Sequence, residues 1–211
     1  FCQAQLMGGL VDMLSGSGAA AEEAAYAIWN LTVGHEENSR TVEKLSGIPR
    51  LIALLKRPSD IAQENAAGAL MHVTVSASAR EAMMNHGALE RLVELLSPEY
   101  EAEVNCQATG ALLNMASDCP EAASKIVKCG AVKPLALLLR EGLDLTKEYA
   151  AGALMNLIRN EAEVADQTAK ADAIPALAGL LQRNIGASEA LGALANLASG
   201  SDSRQAAIYK A

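Results

Sequence analysis

The chain has 211 residues, of which 17 are basic and 25 acidic, and its formal net charge is −8. An acidic chain of this kind is not expected to bind nucleic acid or an anionic membrane in a general way, because both attract positive charge. Hydrophobic residues make up 51% of the chain but aromatic residues only 3%, so Ala, Leu, Val, Ile and Met must build the interior. No apolar run approaches the length of a membrane span, so we expect no direct membrane insertion.

The cysteines show no C-x-x-C pair and no histidine at metal-ligand spacing. In a chain of this size that pattern indicates reduced thiols in an intracellular, cytoplasmic protein, with no metal and no cofactor. The chain starts at Phe1 in the middle of a pattern, without an initiator Met or a signal-peptide layout. We therefore interpret it as a fragment of a longer protein. The four cysteines are Cys2, Cys106, Cys119 and Cys129.

The first apolar pattern in the chain recurs four more times. Within each copy the apolar residues fall on one face of a helix, as Leu89, Leu92, Val93 and Leu96 do. Prolines stand near the start of two copies or just beyond their ends, where they begin or stop a helix. The copies are Met7–Leu14, Ile48–Leu55, Leu89–Leu96, Val132–Leu139 and Ile174–Leu181.

A second pattern, rich in Ala and Gly, follows each copy of the first. Each of its copies carries one polar residue at a fixed place, and these residues stand 42, 42, 42 and 40 positions apart. A fixed period of this size with helical patterning predicts a repeat solenoid, in which each unit packs mainly on its neighbours. The polar positions are Asn30, His72, Asn114, Asn156 and Asn196.

A third, shorter pattern precedes the next copy of the first and ends at Gly47, Gly87, Gly130 or Asp172. Glycine there permits left-handed backbone geometry and a sharp turn into the next helix. A complete unit is thus a short helix, a sharp turn, a second helix, a polar loop and a longer third helix. We divide the single domain 1–211 into a first repeat without its short helix (1–35), four complete repeats (36–75, 76–117, 118–160 and 161–200) and the start of a sixth (201–211).

Glycine also stands inside the third helices, four residues before the polar position. Glycine in a helix costs roughly 0.5–1 kcal/mol relative to Ala, so four such residues indicate that a neighbouring helix or a ligand comes close. Neighbour packing is the simpler interpretation. The leucines of the same helices are expected to face inward. These glycines are Gly68, Gly110, Gly152 and Gly192, and the leucines are Leu70, Leu112, Leu154 and Leu194.

These motifs resemble the armadillo repeat family across essentially the whole chain. The shared features are the three-helix unit, the pattern Gly-x-(Ile/Val)-x-x-Leu-x-x-Leu-Leu, and the later Ala-x-x-Ala-Leu-x-Asn-Leu. HEAT repeats have a similar period but only two helices. The resemblance implies an all-α, right-handed α-solenoid of about five three-helix repeats, whose third helices line a concave groove. In relatives such as importin-alpha and beta-catenin that groove holds an extended peptide.

In the family, asparagine side chains of the third helices hydrogen-bond the backbone of the bound peptide. Asn30, Asn114, Asn156 and Asn196 match these positions, and His72 stands at the remaining one. An amide offers both a donor and an acceptor, so it can satisfy an extended backbone. The alternative is that these side chains cap or bridge neighbouring helices.

One departure from the family concerns tryptophan. Importin-alpha carries Trp four residues before most of these asparagines, whereas this chain has Tyr26 and then the four glycines there. The lone Trp29 lies one residue before Asn30, which we interpret as off that face. A receptor for nuclear localisation signals is therefore not expected. The groove should be wider and flatter, with Tyr26 as its aromatic contact.

The charge map predicts an acidic third-helix surface. The third helices, taken as 19–33, 61–75, 103–117, 145–159 and 186–199, contain six acidic residues and only two basic ones. Glu22, Glu64 and Glu148 stand eight residues before the polar position, on roughly its face. We therefore expect a protein or peptide partner that is basic and extended. The alternative is an ordinary solvated face.

Enzymatic activity is not expected. His35, His72 and His86 lie in different units without a motif around them, and the glycines form no phosphate-binding loop. The alternative to peptide binding is a structural or assembly subunit, or an adaptor, that contacts folded partners through its convex face or its ends. Incomplete terminal repeats also predict self-association through uncovered apolar faces.

Overall fold

The structure, a computed structural model, describes residues 2–117, 119–159 and 161–211, with side chains described from residue 5 onward. Every regular element in these ranges is an α-helix. The fifteen helices are α1 (Cys2–Met13), α2 (Ala19–Thr32), α3 (Glu36–Lys44), α4 (Gly47–Leu55), α5 (Asp60–Val73), α6 (Ala77–Asn85), α7 (Ala88–Glu94), α8 (Ala102–Ala116), α9 (Pro120–Lys128), α10 (Val132–Glu141), α11 (Asp144–Ile158), α12 (Ala162–Lys170), α13 (Ala173–Arg183), α14 (Ala187–Ala198) and α15 (Asp202–Lys210).

The helices follow one another in the predicted order of short, second and third. The third helices are α2, α5, α8, α11 and α14, and each packs along the next one in this series. Because neighbouring units bury each other's apolar faces, the chain forms a solenoid rather than layers around one centre. The all-α solenoid prediction is confirmed.

The core consists of small and aliphatic side chains at every level. Leu70, Leu112 and Leu154 are fully buried and Leu194 is 7% exposed, so the prediction that these leucines face inward is confirmed. Alanines surround them, for example Ala66 at 0% exposure. Such short side chains let adjacent third helices approach closely.

The sharp turns between first and second helices use left-handed residues, as expected, with one correction. Gly87 and Asp172 have φ values of 74° and 58°, but in the second repeat the left-handed residue is Ser46 (φ 56°), not Gly47. Gly47 instead begins α4, where a Cβ atom would lie 2.6 Å from Cγ1 of Val42. A side chain is therefore excluded at Gly47 by close packing, not by backbone geometry.

Side chains of three first helices, α3, α6 and α15, donate hydrogen bonds to backbone carbonyls at the C-terminal end of the preceding third helix. Nδ2 of Asn38 donates to the carbonyl of Leu31 at 2.6 Å, and a guanidinium nitrogen of Arg80 donates to the carbonyl of Thr74 at 3.0 Å. Arg204, only 6% exposed, donates to the carbonyls of Leu197 (2.6 Å) and Ser199 (2.7 Å). These donors satisfy carbonyls that the end of a helix leaves without an internal partner.

None of the described helices combines the length and the apolar character needed to cross a membrane.

Candidate functional site

The glycines of the third helices receive side chains from neighbouring repeats. A Cβ atom on Gly68 would lie 2.5 Å from the Trp29 ring, and one on Gly110 would lie 2.6 Å from Sδ of Met71. Leu113 approaches Gly152 in the same way, and Met155 approaches Gly192. In each pair the approaching residue stands one position before the polar residue of the preceding repeat. Neighbour packing therefore explains these glycines.

Trp29 corrects the expectation that its side chain lies away from the third-helix face. Its half-buried ring packs on Gly68, which is the residue four positions before His72. The ring thus fills the position that the side chain of residue 68 would otherwise occupy. Tyr26, which is 49% exposed, meets Trp29 edge to face with ring centroids 6.2 Å apart. An aromatic pair therefore lies at the α2 end of the third-helix surface, a name we use for the exposed and half-buried side chains of α2, α5, α8, α11 and α14.

Asparagines at the polar positions join adjacent third helices. Nδ2 of Asn114 donates to the carbonyl of Met71 at 2.7 Å, and Nδ2 of Asn196 donates to the carbonyl of Met155 at 2.8 Å. Nδ2 of Asn156 reaches Oγ of Ser117 at 3.0 Å instead. The sequence left open whether these asparagines bridge neighbouring helices. They do so here, and each bridge uses one N–H of the side-chain amide. An amide has a second N–H and an acceptor oxygen.

Asn30 and His72 differ from these three. Asn30 is exposed, and its Nδ2 donates to the carbonyl of Tyr26 in its own helix at 3.1 Å. His72 is half-buried, and burial lowers the pKa of its imidazole. The ring is therefore neutral at pH 7 and retains one donor and one acceptor. His72 and Asn114 together line a hollow of about 520 Å³ between the C-terminal ends of α2, α5 and α8.

Two carboxylates, Glu64 on α5 and Glu103 on α8, lie close to each other on the third-helix surface. Burial raises the pKa of Glu64, and the negative charge of Glu103 raises it further. Among the described residues neither carboxylate forms an ion pair with a lysine or arginine. The sequence did not single out Glu103. Its proximity to Glu64 depends on how α5 and α8 pack, which the sequence does not show.

The other two predicted carboxylates have different surroundings. Glu22 accepts a hydrogen bond from Oγ of Ser59 at 2.7 Å, and Ser59 also accepts from the backbone N–H of Ala62 at the start of α5. Glu22 therefore has a structural role in holding α2 to α5. Glu148 lies near Tyr149, whose pKa is raised by burial, by Cys106 and by the charge of Glu148.

The third helices carry more negative charge than the sequence predicted. Because α5 and α11 begin at Asp60 and Asp144, the helices as observed contain eight carboxylates and one lysine. That lysine, Lys147, already lies 3.8 Å from Asp144. The surface is therefore acidic along its length.

Potential metal ligands and cysteine thiols are the remaining reactive groups among the described residues. No cluster of His, Cys, Asp and Glu among them could hold a metal ion. Burial raises the pKa of the thiols of Cys106 and Cys129, so both are protonated at pH 7 and neither is an activated nucleophile.

Comparison with known proteins identifies the repeat. The third repeat, residues 76–117, matches the family model described as Armadillo/beta-catenin-like repeat. The fold matches the crystal structure of an engineered protein with a TM-score of 0.86 and 30% identity, over 97% of this chain and 84% of that one. The chain belongs to the armadillo repeat family. The armadillo fold also matches a designed armadillo repeat protein solved in complex with the peptide (KR)4, with a TM-score of 0.82 and 24% identity, over 97% of this chain and 87% of that one.

A natural armadillo relative matches over part of the chain. It is the splicing regulator ARVCF of Rattus norvegicus, 34% identical over 99 residues. The match covers 46% of this chain and 10% of that protein. This armadillo chain therefore corresponds to a small share of the relative's length.

Proposed function

We propose that the third-helix surface binds an extended, basic peptide segment of a protein partner, without covalent chemistry. The observation that carries the proposal is the pair Glu64 and Glu103. Burial and, after it, the negative charge of Glu103 raise the pKa of Glu64, so ionisation of Glu64 opposes folding, and neither carboxylate has a basic partner among the described residues. The positive charge of a Lys or Arg side chain placed between them would offset both the repulsion and the cost of burying the carboxylates.

Backbone recognition would come from the asparagines. Asn114, Asn156 and Asn196 each use one N–H to join helices, which fixes the orientation of the amide. The groups that remain could accept from and donate to an extended chain running along the third helices. The neutral ring of His72 offers the same two functions in the second repeat.

The N-terminal part of the surface would contact an apolar or cationic side chain. Tyr26 and Trp29 present an aromatic edge and face there, next to the acidic Glu23 of the same helix. Cations are attracted to aromatic faces by about 0.5–1 kcal/mol at exposed sites. Glu22 and Glu148 would add to the attraction through the field of the surface as a whole rather than through one contact.

The designed protein solved with (KR)4 is a case in which the armadillo fold holds a basic peptide. It supports the proposal at the level of the fold. The basic character of the partner of this chain rests on its own carboxylates.

A second candidate function is assembly through the ends of the solenoid. Large apolar side chains are exposed there, namely Leu6 at 56%, Leu191 at 61% and Tyr209 at 91%. Such exposure marks surfaces that bind other proteins, including a second copy of the chain. Tyr209→Ser and Leu6→Asn would disrupt this function while leaving the third-helix surface intact.

The test measures the affinity of the peptide (KR)4 by titration calorimetry at two salt concentrations. Glu64→Gln/Glu148→Gln should weaken binding by about tenfold and reduce its salt dependence, because close charge pairs and steering are both lost. The matched control is Glu81→Gln/Glu90→Gln, which removes the same charge from exposed positions on α6 and α7. The control should bind like the unmodified protein.

The asparagine arm of the test uses Asn114→Ala/Asn196→Ala. Loss of neutral hydrogen bonds should weaken binding by about 0.5–1.5 kcal/mol per asparagine. Because each amide also joins two helices, the melting temperature will fall, and affinities must be compared where the variant is fully folded. Unchanged affinity in both the Glu and Asn variants would remove the third-helix surface from the mechanism and leave assembly through the ends.

A further inference from the structure

Apolar side chains continue from the aromatic pair along the C-terminal half of the third-helix surface in the first two repeats. Trp29 and Met71 are half-buried, and each stands one position before the polar residue of its repeat. Four residues further on, Val33 and Val75 are 46% and 39% exposed just beyond the ends of α2 and α5. Residues four apart share one side of a helix, and α2 packs along α5. We call Tyr26, Trp29, Val33, Met71 and Val75 the apolar patch.

The fold does not require apolar side chains at the two valine positions. Val33 and Val75 stand three residues after the polar position, and the later repeats have Ser117, Arg159 and Ser199 there. The same end of a third helix is therefore made with polar or charged side chains in three of the five cases. Contiguous apolar side chains that a fold leaves exposed mark a surface for another molecule. The apolar patch is thus a local feature of the first two repeats that requires its own explanation.

The hollow of about 520 Å³ at the C-terminal ends of α2, α5 and α8 adjoins the apolar patch, because Met71 and Val75 line it. Its carboxylate and its guanidinium, Glu36 and Arg80, have opposite charges. Glu36 pairs with Arg40 at 3.2 Å, and Arg80 donates to a backbone carbonyl. A further cation would therefore gain little at this place. An apolar side chain would instead cover Met71 and Val75 and remove their exposed area from water.

The pair Glu64 and Glu103 lies close to the apolar patch. Glu64 stands four residues before Gly68 and seven before Met71, so the three residues share one face of α5. Seven residues of helix correspond to a rise of about 10 Å. An extended segment covers that distance in about three residues, at about 3.3 Å each. One short segment can therefore place an apolar side chain on the patch and a Lys or Arg side chain between Glu64 and Glu103.

We propose that the partner segment carries a bulky apolar residue about three positions from its basic residues, and that the apolar patch binds this residue. The inference rests on the proposed function, because it concerns the same surface and the same partner. It adds a requirement that charge alone does not impose. A segment with basic residues only would neutralise the carboxylates but leave the patch exposed to water.

The test compares the affinities of peptides that differ only in two terminal residues, by titration calorimetry. Two leucines or two serines are attached to (KR)4, at its N-terminus in one pair of peptides and at its C-terminus in the other, so that both directions of the segment are covered. In at least one pair the leucine peptide should bind about tenfold more tightly, since burial of one leucine side chain is worth that much. Equal affinity within both pairs would overturn this inference and leave the proposed function standing. If neither serine peptide binds, the proposed function is wrong, and this inference with it.

Two double variants locate the bound leucines. Val33→Ser/Val75→Ser removes the two most exposed aliphatic side chains of the apolar patch. It should abolish most of the gain in affinity from the leucines and leave the affinity for the serine peptides unchanged. The matched control is Ile61→Ser/Leu145→Ser, which removes apolar side chains that are 59% and 46% exposed at the N-terminal ends of α5 and α11. The control should keep the full gain from the leucines.

Methyl NMR signals of the unmodified protein provide a measurement that does not depend on how the variants fold. The signals of Val33 and Val75 should shift strongly with the leucine peptide and little with the serine peptide. If the gain from the leucines survives Val33→Ser/Val75→Ser, or is lost equally in the control, the leucines bind elsewhere and the inference is wrong. Shifts confined to the methyl groups of Ile61 and Leu145 would lead to the same conclusion.

Discussion

Charge has opposite effects at two places in this solenoid. At the junction of α12, α14 and α15, Arg204 is almost completely buried, yet it pairs with Asp166 and donates to two carbonyls. On the third-helix surface, Glu64 and Glu103 lie together without a basic partner among the described residues. The first arrangement stabilises the fold, and the second opposes it.

The difference separates residues that build the protein from residues that are available to a ligand. A buried charge with all its hydrogen bonds is a structural element. A pair of like charges that the fold does not compensate requires another explanation, and binding of a cationic partner is the one we propose.

The largest effect is expected from Arg204→Ala. The change leaves the carbonyls of Leu197 and Ser199 without their donor, and it should lower the free energy of unfolding by about 1.5–3 kcal/mol, the range for hydrogen bonds to a charged group. Urea denaturation measures this. Arg40→Ala, which removes an exposed ion pair with Glu36, is the control and should change stability by less than about 0.5 kcal/mol. Equal effects of the two changes would mean that Arg204 is not a structural charge.

A smaller loss is expected from Gly68→Ala on the third-helix surface. Its new Cβ would lie 2.5 Å from the Trp29 ring, and overpacking of this kind costs about 1–3 kcal/mol. Gly179→Ala in α13 is the matched control, because a Cβ there meets nothing within 4 Å. The control should stabilise the protein by about 0.5–1 kcal/mol, since Ala is the better helix former. Thermal unfolding of both variants should therefore show shifts of opposite sign.

The smallest effect is expected from Glu64→Gln, and it is a gain. The folded-state pKa of Glu64 is raised, so ionisation of this group destabilises the fold once the pH rises through that pKa. The glutamine variant should be more stable at pH 7, by less than about 1 kcal/mol because the group is partly exposed. At a pH below the unfolded-state pKa of Glu64 the gain should disappear.

Melting temperatures across that pH range would show the change. If Glu64→Gln lowers the melting temperature at pH 7, the carboxylate stabilises the fold and the comparison with Arg204 fails. If the variant is more stable and also binds (KR)4 more weakly, stability and binding are opposed at this residue, as the proposal requires.

Most of the fold followed from the sequence because its signals are local and repeated. The 42-residue spacing predicted the order of helices, and the inward leucines followed from helical periodicity. The turn residue of the second repeat was wrong, because Ser46 rather than Gly47 takes the left-handed conformation. The sequence indicates a glycine requirement near this turn. Only the structure shows that the requirement at Gly47 comes from its close approach to Val42.

The site was less predictable because it depends on contacts between repeats. The periodicity placed the asparagines and the acidic residues on one surface, but it could not show that Asn114 and Asn196 already join neighbouring helices. The periodicity also placed Trp29 away from the third-helix surface. It could not show that the Trp29 ring packs on Gly68 of the next repeat.

The packing of Trp29 on Gly68 has an optical consequence. Trp29 is the single tryptophan of the chain, and its half-buried indole lies between α2 and α5 at the edge of the third-helix surface. A bound segment that covers this ring would exclude solvent from it and shift its fluorescence emission to shorter wavelength. The protein therefore contains its own reporter at one end of the surface, and binding of a ligand at that end can be followed without attaching a dye.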